Sequence, residues 1–361
     1  MKISSLDLQN FRNYESLHME FNPDTNLIYG DNAQGKTNIL EAAYMVATTK
    51  SHRGSKDREM IRFGEEESHI KAVVTKDGVN HRVDMHLKKH KNKGIAIDGL
   101  PIRRAAELFG VVNIVFFSPE DLTIIKDGPA ARRKFIDLEL SQIDKIYLSD
   151  LTNYNKVLSQ RNKLLKEYEY RKDAQDTLEV WDLQLLRYGM SIIERRSSFI
   201  MELNQIIQEI HKHLTGNREE LIISYEPDVE KDFFANELVA YRQKDIRYGT
   251  TNVGPHKDDI CFLINGNDVR HYGSQGQQRT AALSLKLSEI ELVKQRIHDD
   301  PILFLDDVLS ELDSNRQNFL LDSIHGIQTV VTCTGMDEWI RNRMVVNKVF
   351  HVVEGSVKAE N

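Results

Sequence analysis

The sequence predicts an α/β fold whose parallel core is assembled from the two ends of the chain, with a helical segment inserted between them. Three observations predict it. Near the start, the apolar run Leu27-Ile28-Tyr29 leads into Gly30-Asp31-Asn32-Ala33-Gln34-Gly35-Lys36-Thr37 and then into the helix-forming stretch Ile39-Leu40-Glu41-Ala42-Ala43-Tyr44-Met45. Near the end, Ile302-Leu303-Phe304-Leu305-Asp306-Asp307 reads as a buried strand closing on two acids, and Asp306 lies 270 positions beyond Lys36. Between them, no proline falls between Pro129 and Pro227, and apolar residues recur every three or four positions.

The first element has the pattern G-x-x-x-x-G-K-[ST] in its required context of strand, loop and helix. Its glycines permit the turns that aim backbone N–H groups at phosphate oxygens, and the helix that follows offers its positive end to the anion. Lys36 is placed to reach the β and γ phosphates, and the Thr37 hydroxyl to ligate Mg²⁺. Next come two alternating runs, Ile70, Ala72, Val74 and Val83, Met85, Leu87, with Asp77-Gly78 between them as a hairpin turn, and a second turn at Asp98-Gly99. An antiparallel sheet is expected there.

The proline-free middle predicts two antiparallel helices of about 30 residues, each roughly 45 Å long. Leu140, Ile143, Tyr147, Leu151, Tyr154, Leu158, Leu165 and Tyr168 mark the first. Leu178, Leu185, Ile192, Phe199, Leu203, Ile206, Ile210 and Leu214 mark the second. The polar stretch from Glu169 to Gln175 separates them, and Asp176 with Glu179 forms a capping-box pattern for the return helix. A helical domain packed on the body and a protruding arm fit this pattern equally. Beyond it, Cys261-Phe262-Leu263-Ile264 runs into the turn Asn265-Gly266, with a strand expected to resume at Val269; a long helix around Ala281 to Arg296 and strands at Thr329–Cys333 and Lys348–Val353 complete a parallel core. The expected segments are 1–130, the first half of the head; 131–240, the helical insertion; and 241–361, the second half.

Composition bounds the function. The 361-residue chain is long enough for two or three domains, and its two cysteines, Cys261 and Cys333, suggest neither a disulfide framework nor a metal site, which suits a reducing cytoplasm. The start carries no apolar secretion signal, and no stretch approaches 18 uninterrupted apolar residues, so a membrane role is not expected. A net charge of −7 leaves room only for local basic patches. Lys88, Lys89, Lys91, Lys93, Arg103 and Arg104 form one, and Arg132-Arg133-Lys134 another; either can meet nucleic-acid phosphates, and a solvated hairpin face explains the first equally well. His86 and His90 stand four apart in a strand-like pattern without further ligands, so their spacing does not predict zinc.

Asp306 is placed to hold Mg²⁺ beside Thr37, and Asp307 to orient or activate an attacking water. A third motif, Gly273-Ser274-Gln275-Gly276-Gln277-Gln278-Arg279, opens the long helix, where Ser274 can cap it and the Gly276 backbone can contribute to an anion site. Ser274 to Gln278 resembles the S-G-G-Q signature of the ABC ATPase class, which completes the nucleotide site of a facing subunit, and Ser310-Glu311-Leu312-Asp313 resembles the D-loop of that class. Within the class, the chain resembles the RecF family of bacterial recombination and repair ATPases, related to the SMC proteins. That resemblance rests also on Asn10-Phe11-Arg12-Asn13-Tyr14, Phe117-Ser118-Pro119-Glu120-Asp121-Leu122, Arg132-Arg133-Lys134-Phe135 and Val253-Gly254-Pro255-His256-Lys257-Asp258-Asp259.

The resemblance implies an ABC-type P-loop ATPase head that uses ATP and Mg²⁺. Gly30, Asp31, Asn32, Ala33, Gln34, Gly35, Lys36, Thr37, Arg12, Ser274, Gln275, Gly276 and Gln277 would contact nucleotide, Thr37 and Asp306 the metal, and Asp307 with Lys36 would act in hydrolysis. It further implies an ATP-dependent homodimer on junctions of double- and single-stranded DNA without sequence preference, partnership with RecR, RecO and recombinase, and a place in DNA damage repair, replication and the SOS response. His256 would face DNA or nucleotide, or form a structural turn. No glutamine stands at Ser118-Pro119, no histidine follows Thr329 to Thr334, and an aspartate, Asp307, stands where glutamate is commoner, so a weak, DNA-stimulated ATPase is expected. An ABC-headed nuclease would need a further carboxylate-rich domain, and a transporter ATPase subunit would need the absent glutamine and histidine; another SMC-like DNA-processing ATPase is the nearest alternative.

Overall fold

The computed structural model describes residues 1–171, 173–335 and 344–360, without the side chain of residue 105. The chain begins with β1 (Lys2–Phe11), β2 (Tyr14–Glu20), β3 (Thr25–Tyr29), α1 (Lys36–Thr48) and α2 (Asp57–Met60). Then follow β4 (Glu67–Lys76), β5 (Val79–Lys88), β6 (Lys91–Ile97), β7 (Leu100–Pro101) and β8 (Ile114–Phe117). The helical stretch comprises α3 (Leu122–Lys126), α4 (Pro129–Ile143), α5 (Lys145–Lys166) and α6 (Ala174–Thr215). After β9 (Leu221–Glu226) come α7 (Phe234–Ala240), α8 (Arg242–Tyr248), β10 (Asp259–Ile264), β11 (Asn267–Asp268), α9 (Val269–Tyr272) and α10 (Gln275–Ile297). The chain closes with β12 (Ile302–Asp306), α11 (Ser314–Ser323), β13 (Thr329–Cys333), β14 (Lys348–Val353) and β15 (Ser356–Glu360).

Two compact units result, one from Met1–Asp121 with Glu289–Asn361, the other from Leu122–Ser288. The expected insertion, residues 131–240, falls within the second unit, which also takes in β10, β11, α9 and the first half of α10.

The first unit contains two six-stranded sheets. One has the order β15-β14-β3-β13-β12-β8, with β14, β3, β13, β12 and β8 all parallel. All five residues of β12 and the central three of β3 are buried, as continuous apolar runs in a sheet covered on both faces require. Strand β3 sits between β13 and β14, so the parallel core joins the two ends of the chain as the sequence predicts. The other sheet, β2-β1-β4-β5-β6-β7, is antiparallel throughout. Its alternation is strict: Ile70 faces Met85 and Ala72 faces Val83 on the buried side, while His69, Lys71, Asp84 and His86 take the other. Asp77, Asp98 and Asn265 each take a left-handed φ, 50°, 53° and 49°, as the three Asx-Gly turns demand.

In the second unit, α5 and α6 pack antiparallel: Asp144 pairs with Arg195, Asp150 with Ser191 and Arg161 with Asp182. Leu178, Leu185, Ile192 and Leu203 form the fully buried stripe of α6. The two helices have 22 and 42 residues rather than about 30 each. The first is shorter because Asp144 stops α4 and caps α5, accepting from the Ile146 and Tyr147 N–H groups at 2.9 Å; Leu140 and Ile143 therefore belong to α4. The second starts at Ala174, after Asp173, so Asp176 and Glu179 lie inside the helix and form no capping box. Lys172 of the separating polar stretch lies outside the described residues. Val269 opens a helical turn rather than a strand, because the Asp268 carboxylate accepts from the Arg270 N–H at 2.8 Å and caps it. Among the described residues no helix is long and apolar enough to cross a membrane.

Candidate functional site

The phosphate loop is held open from both sides. Gly30 has φ 153°, and a Cβ there would stand 2.3 Å from the Val352 carbonyl oxygen of β14; Gly35 has φ 115°, and a Cβ there would meet the Asn13 side chain at 2.5 Å and the Tyr14 hydroxyl at 2.8 Å. Only glycine fits either position. Tyr14 donates to the Gly35 carbonyl at 3.1 Å, and Asn13 donates to the Gln34 carbonyl at 2.8 Å while accepting from Asn38 at 2.8 Å. No side chain caps α1, so its first amides remain for an anion. Lys36 is buried and folds back on the loop, donating to the Gly30 and Asp31 carbonyls at 2.7 and 3.0 Å.

The acidic strand meets this loop. Thr37 donates to the Asp306 carboxylate at 3.0 Å, across 269 residues of sequence, and Thr332 of β13 donates to the same oxygen at 2.7 Å. The Thr332 hydroxyl also accepts the Asp307 N–H at 3.0 Å, fixing Asp307 in a left-handed conformation, φ 54°. Burial pushes the Asp306 carboxyl above its ordinary value of 3.8, against the hydrogen bonds from Thr332 and Thr37 and with the neighbouring Asp307 adding to the rise. A buried carboxylate that accepts from two threonine hydroxyls is an oxygen-rich group of the kind that holds Mg²⁺.

Arg12 is held by α1 and its neighbours. Its guanidinium makes a bidentate pair with Glu41 of α1, at 2.7 and 2.8 Å, and also donates to the Glu59 carbonyl and the Ser55 hydroxyl, each at 2.8 Å. Burial raises the Glu41 carboxyl, but the hydrogen bonds from Arg12 and Ser51 outweigh it and leave the group below its ordinary value of 4.5. In this structure Arg12 therefore anchors α1.

At the head of α10, Ser274 and Gln277 form a reciprocal cap: the Ser274 hydroxyl accepts the Gln277 N–H at 3.2 Å, and the Gln277 carboxamide accepts the Ser274 N–H at 2.9 Å. Ser274, Gln275 and Gly276 are exposed. The Gln277 amide donates in turn to Glu219 at 3.0 Å, and Glu219 lies 3.4 Å from the buried His211. Asp313 of the D-loop-like stretch caps α11 through the Asn315 and Arg316 N–H groups.

Sequence reasoning assigned no role to Thr332, Glu41 or Glu219, and it quoted Asn13 and Tyr14 without their contacts to the phosphate loop. A threonine inside an otherwise apolar strand was the signal for Thr332; the others act through contacts that no local pattern encodes.

The basic patches fare unequally. Arg132 is buried and forms a bidentate pair with Asp259 at 2.6 and 2.8 Å, so it does not face phosphates; Arg133 donates to the Asp258 carbonyl at 2.7 Å. In the hairpin patch, Lys88, Lys89 and Lys93 pair with Glu67, Glu66 and Asp57, while Lys91, Arg103 and Arg104 are exposed. His256 serves a structural turn: one ring nitrogen meets the Tyr154 hydroxyl at 2.8 Å and the other the Thr251 carbonyl at 3.1 Å, and burial lowers its pKa.

A parallel sheet that brings a phosphate loop and an acidic strand together is the core of an ABC-type P-loop ATPase head. The family described as "RecF/RecN/SMC N terminal domain" matches residues 2–357, and the DNA replication and repair protein RecF of Lachnospira eligens is 64% identical over 100% of both chains, so this chain belongs to the RecF family. A solved structure of the recombination mediator protein RecF with ATP, in the RecFOR pathway, is 37% identical, covers 100% of this chain and 98% of its own, and superposes with a TM-score of 0.93. The Smc head domain of Pyrococcus furiosus, 14% identical with coverage of 99% and 96%, gives a TM-score of 0.57 and shares the fold alone.

Proposed function

We propose that this protein is an ATP-dependent clamp on DNA in recombinational repair and replication restart, closing as a homodimer at junctions of double- and single-stranded DNA. Its hydrolysis of ATP would be slow, and it would assist recombinase loading at gaps with RecR and RecO. The observation that carries the reading is the Thr37–Asp306–Thr332 junction beside Lys36, in a chain 37% identical to a RecF solved with ATP.

Residues 30–37 would cradle the phosphates, with Lys36 exchanging two carbonyls for phosphate oxygens. Thr37 and Asp306 would hold Mg²⁺, which neutralises charge on the β and γ phosphates. Asp307, its backbone fixed by Thr332, would orient the water; the single-methylene side chain and the lack of a switch histidine favour a timer over a motor. Ser274, Gln275 and Gly276 are exposed at a helix start, a position from which they would complete the site of a second copy. Of the two basic clusters, Lys91, Arg103, Arg104 and Lys134 are exposed and would meet DNA backbone, so affinity would fall steeply with salt.

ATP should convert monomer to dimer in Asp307→Asn, measured by light scattering with and without gapped DNA, and Lys36→Ala or Ser274→Arg should prevent it. Persistent monomer in Asp307→Asn with saturating ATP would refute the clamp.

A further inference from the structure

The exposed face of the antiparallel sheet carries a second group of ligating side chains that the nucleotide site does not use. Glu67 and His69 alternate on one side of β4, and the register puts His86 of β5 directly opposite His69. The two imidazoles stack, with centroids 3.9 Å apart and planes inclined by 22°, and His86 Nε2 hydrogen-bonds the Glu67 carboxylate. One donor atom from each of Glu67, His69 and His86 lies within 4.8 Å of the other two. Across from His86 on β6 stands Gly94, where a Cβ would meet nothing within 4 Å, so the cluster is open on that side. His69, His86 and Gly94 line a groove of about 1050 Å³ together with Asp7, Lys71 and Asp84.

Two imidazoles and one carboxylate are a different donor set from the oxygen pair at Thr37 and Asp306. Nitrogen ligands select borderline cations, and three protein ligands with an open fourth position match tetrahedral coordination. We propose that Glu67, His69 and His86 bind a divalent cation of the zinc class, with water or an external ligand in the fourth position. The spacing of His86 and His90 pointed away from zinc because His90 is not the partner; it lies beside Glu66 at 3.7 Å, and the second imidazole comes from the neighbouring strand. Lys88, 3.6 Å from Glu67, is the nearest competing cation and would have to release the carboxylate; Lys71 and Asp84 flank the other side.

The test is calorimetric titration of the untagged full chain with Zn²⁺ alone in excess Mg²⁺, paired with Co²⁺ as a visible-absorption probe. A single saturable site per chain is expected, with the intense absorption of tetrahedral Co²⁺. Loss of an outer-shell partner alone weakens metal sites about 10–100-fold, so His69→Ala and His86→Gln should each weaken Zn²⁺ binding by more than about 100-fold. Both side chains stand on the solvent side of their strands, so circular dichroism should be unchanged, and Lys36→Ala should bind Zn²⁺ as the parent does. No saturable Zn²⁺ site, or binding that both histidine variants retain to within about tenfold, overturns the proposal.

Discussion

In the helical unit, buried guanidinium groups meet carboxylates. Arg161 pairs with Asp182 and Asp245, each at 2.7 Å, and Arg196 with Asp137 and Asp258, again at 2.7 Å; neither arginine is more than 2% exposed. In the phosphate site no ion pair forms among the described residues: Asp306 is held by hydroxyls and Lys36 by peptide carbonyls. The difference separates scaffold from site. A buried ion network holds its helices in one arrangement, whereas a buried charge met by neutral dipoles gains most when a ligand of opposite charge arrives. Arg12 and Glu41 sit beside the phosphate site yet belong to the scaffold by this criterion.

Three measurements can break or sharpen that contrast. Arg161→Ala takes the guanidinium from two buried carboxylates, leaving Asp182 with Arg242 and Asp245 with the Asn252 N–H groups, and should cost about 3–5 kcal/mol in urea unfolding; a loss below about 1 kcal/mol would mean the network does not hold the helices. Glu41→Gln leaves Arg12 with a neutral partner and should cost about 1.5–3 kcal/mol. The smallest effect has the opposite sign: without nucleotide, Asp306→Asn should raise stability by about 1 kcal/mol while removing Mg²⁺-dependent ATP binding, and a destabilised Asn variant would contradict the open-site reading.

Acidity distinguishes the same two carboxylates. The folded value of Glu41 lies below its unfolded value of 4.5, so its contribution is present above that pH and is lost as pH falls through the folded value. The folded value of Asp306 lies above 3.8, so its contribution is greatest below that pH and is lost as pH rises through the folded value. Stability scans from pH 3 to 7 should therefore show the Glu41→Gln deficit growing toward neutrality and the Asp306→Asn gain growing with it.

Much of the fold was legible because its signals are local. Asp77-Gly78, Asp98-Gly99 and Asn265-Gly266 dictate turns by their own backbone preferences, and Gly30 to Thr37 carries its strand and helix on either side. Helix ends were less legible, since Asp144 and Asp173 are one of several acids near each boundary and only the three-dimensional path selects among them. Least legible were pairings across the chain. Nothing near Arg132 announces Asp259, 127 residues away, and a run of basic letters reads the same whether it is solvated or buried against acids. Glu41 sits in a helix whose pattern looks simply apolar, and its role follows from Arg12 arriving from the turn between β1 and β2.

The place of β3 has a consequence for how the protein is made. Its two neighbours, β13 and β14, are encoded about 300 residues downstream. At synthesis rates of about 5–20 residues per second, Tyr29 emerges roughly 15–60 s before Cys333. Throughout that interval the nascent chain holds a buried-type strand with both edges unpaired, while Leu122–Ser288, complete before β12 and β13 emerge, can fold ahead of them from contacts within itself. Ribosome-bound chains ending before β13 should thus display a protected helical unit and a protease-sensitive amino-terminal third, and would be natural clients of chaperones that cover apolar strands.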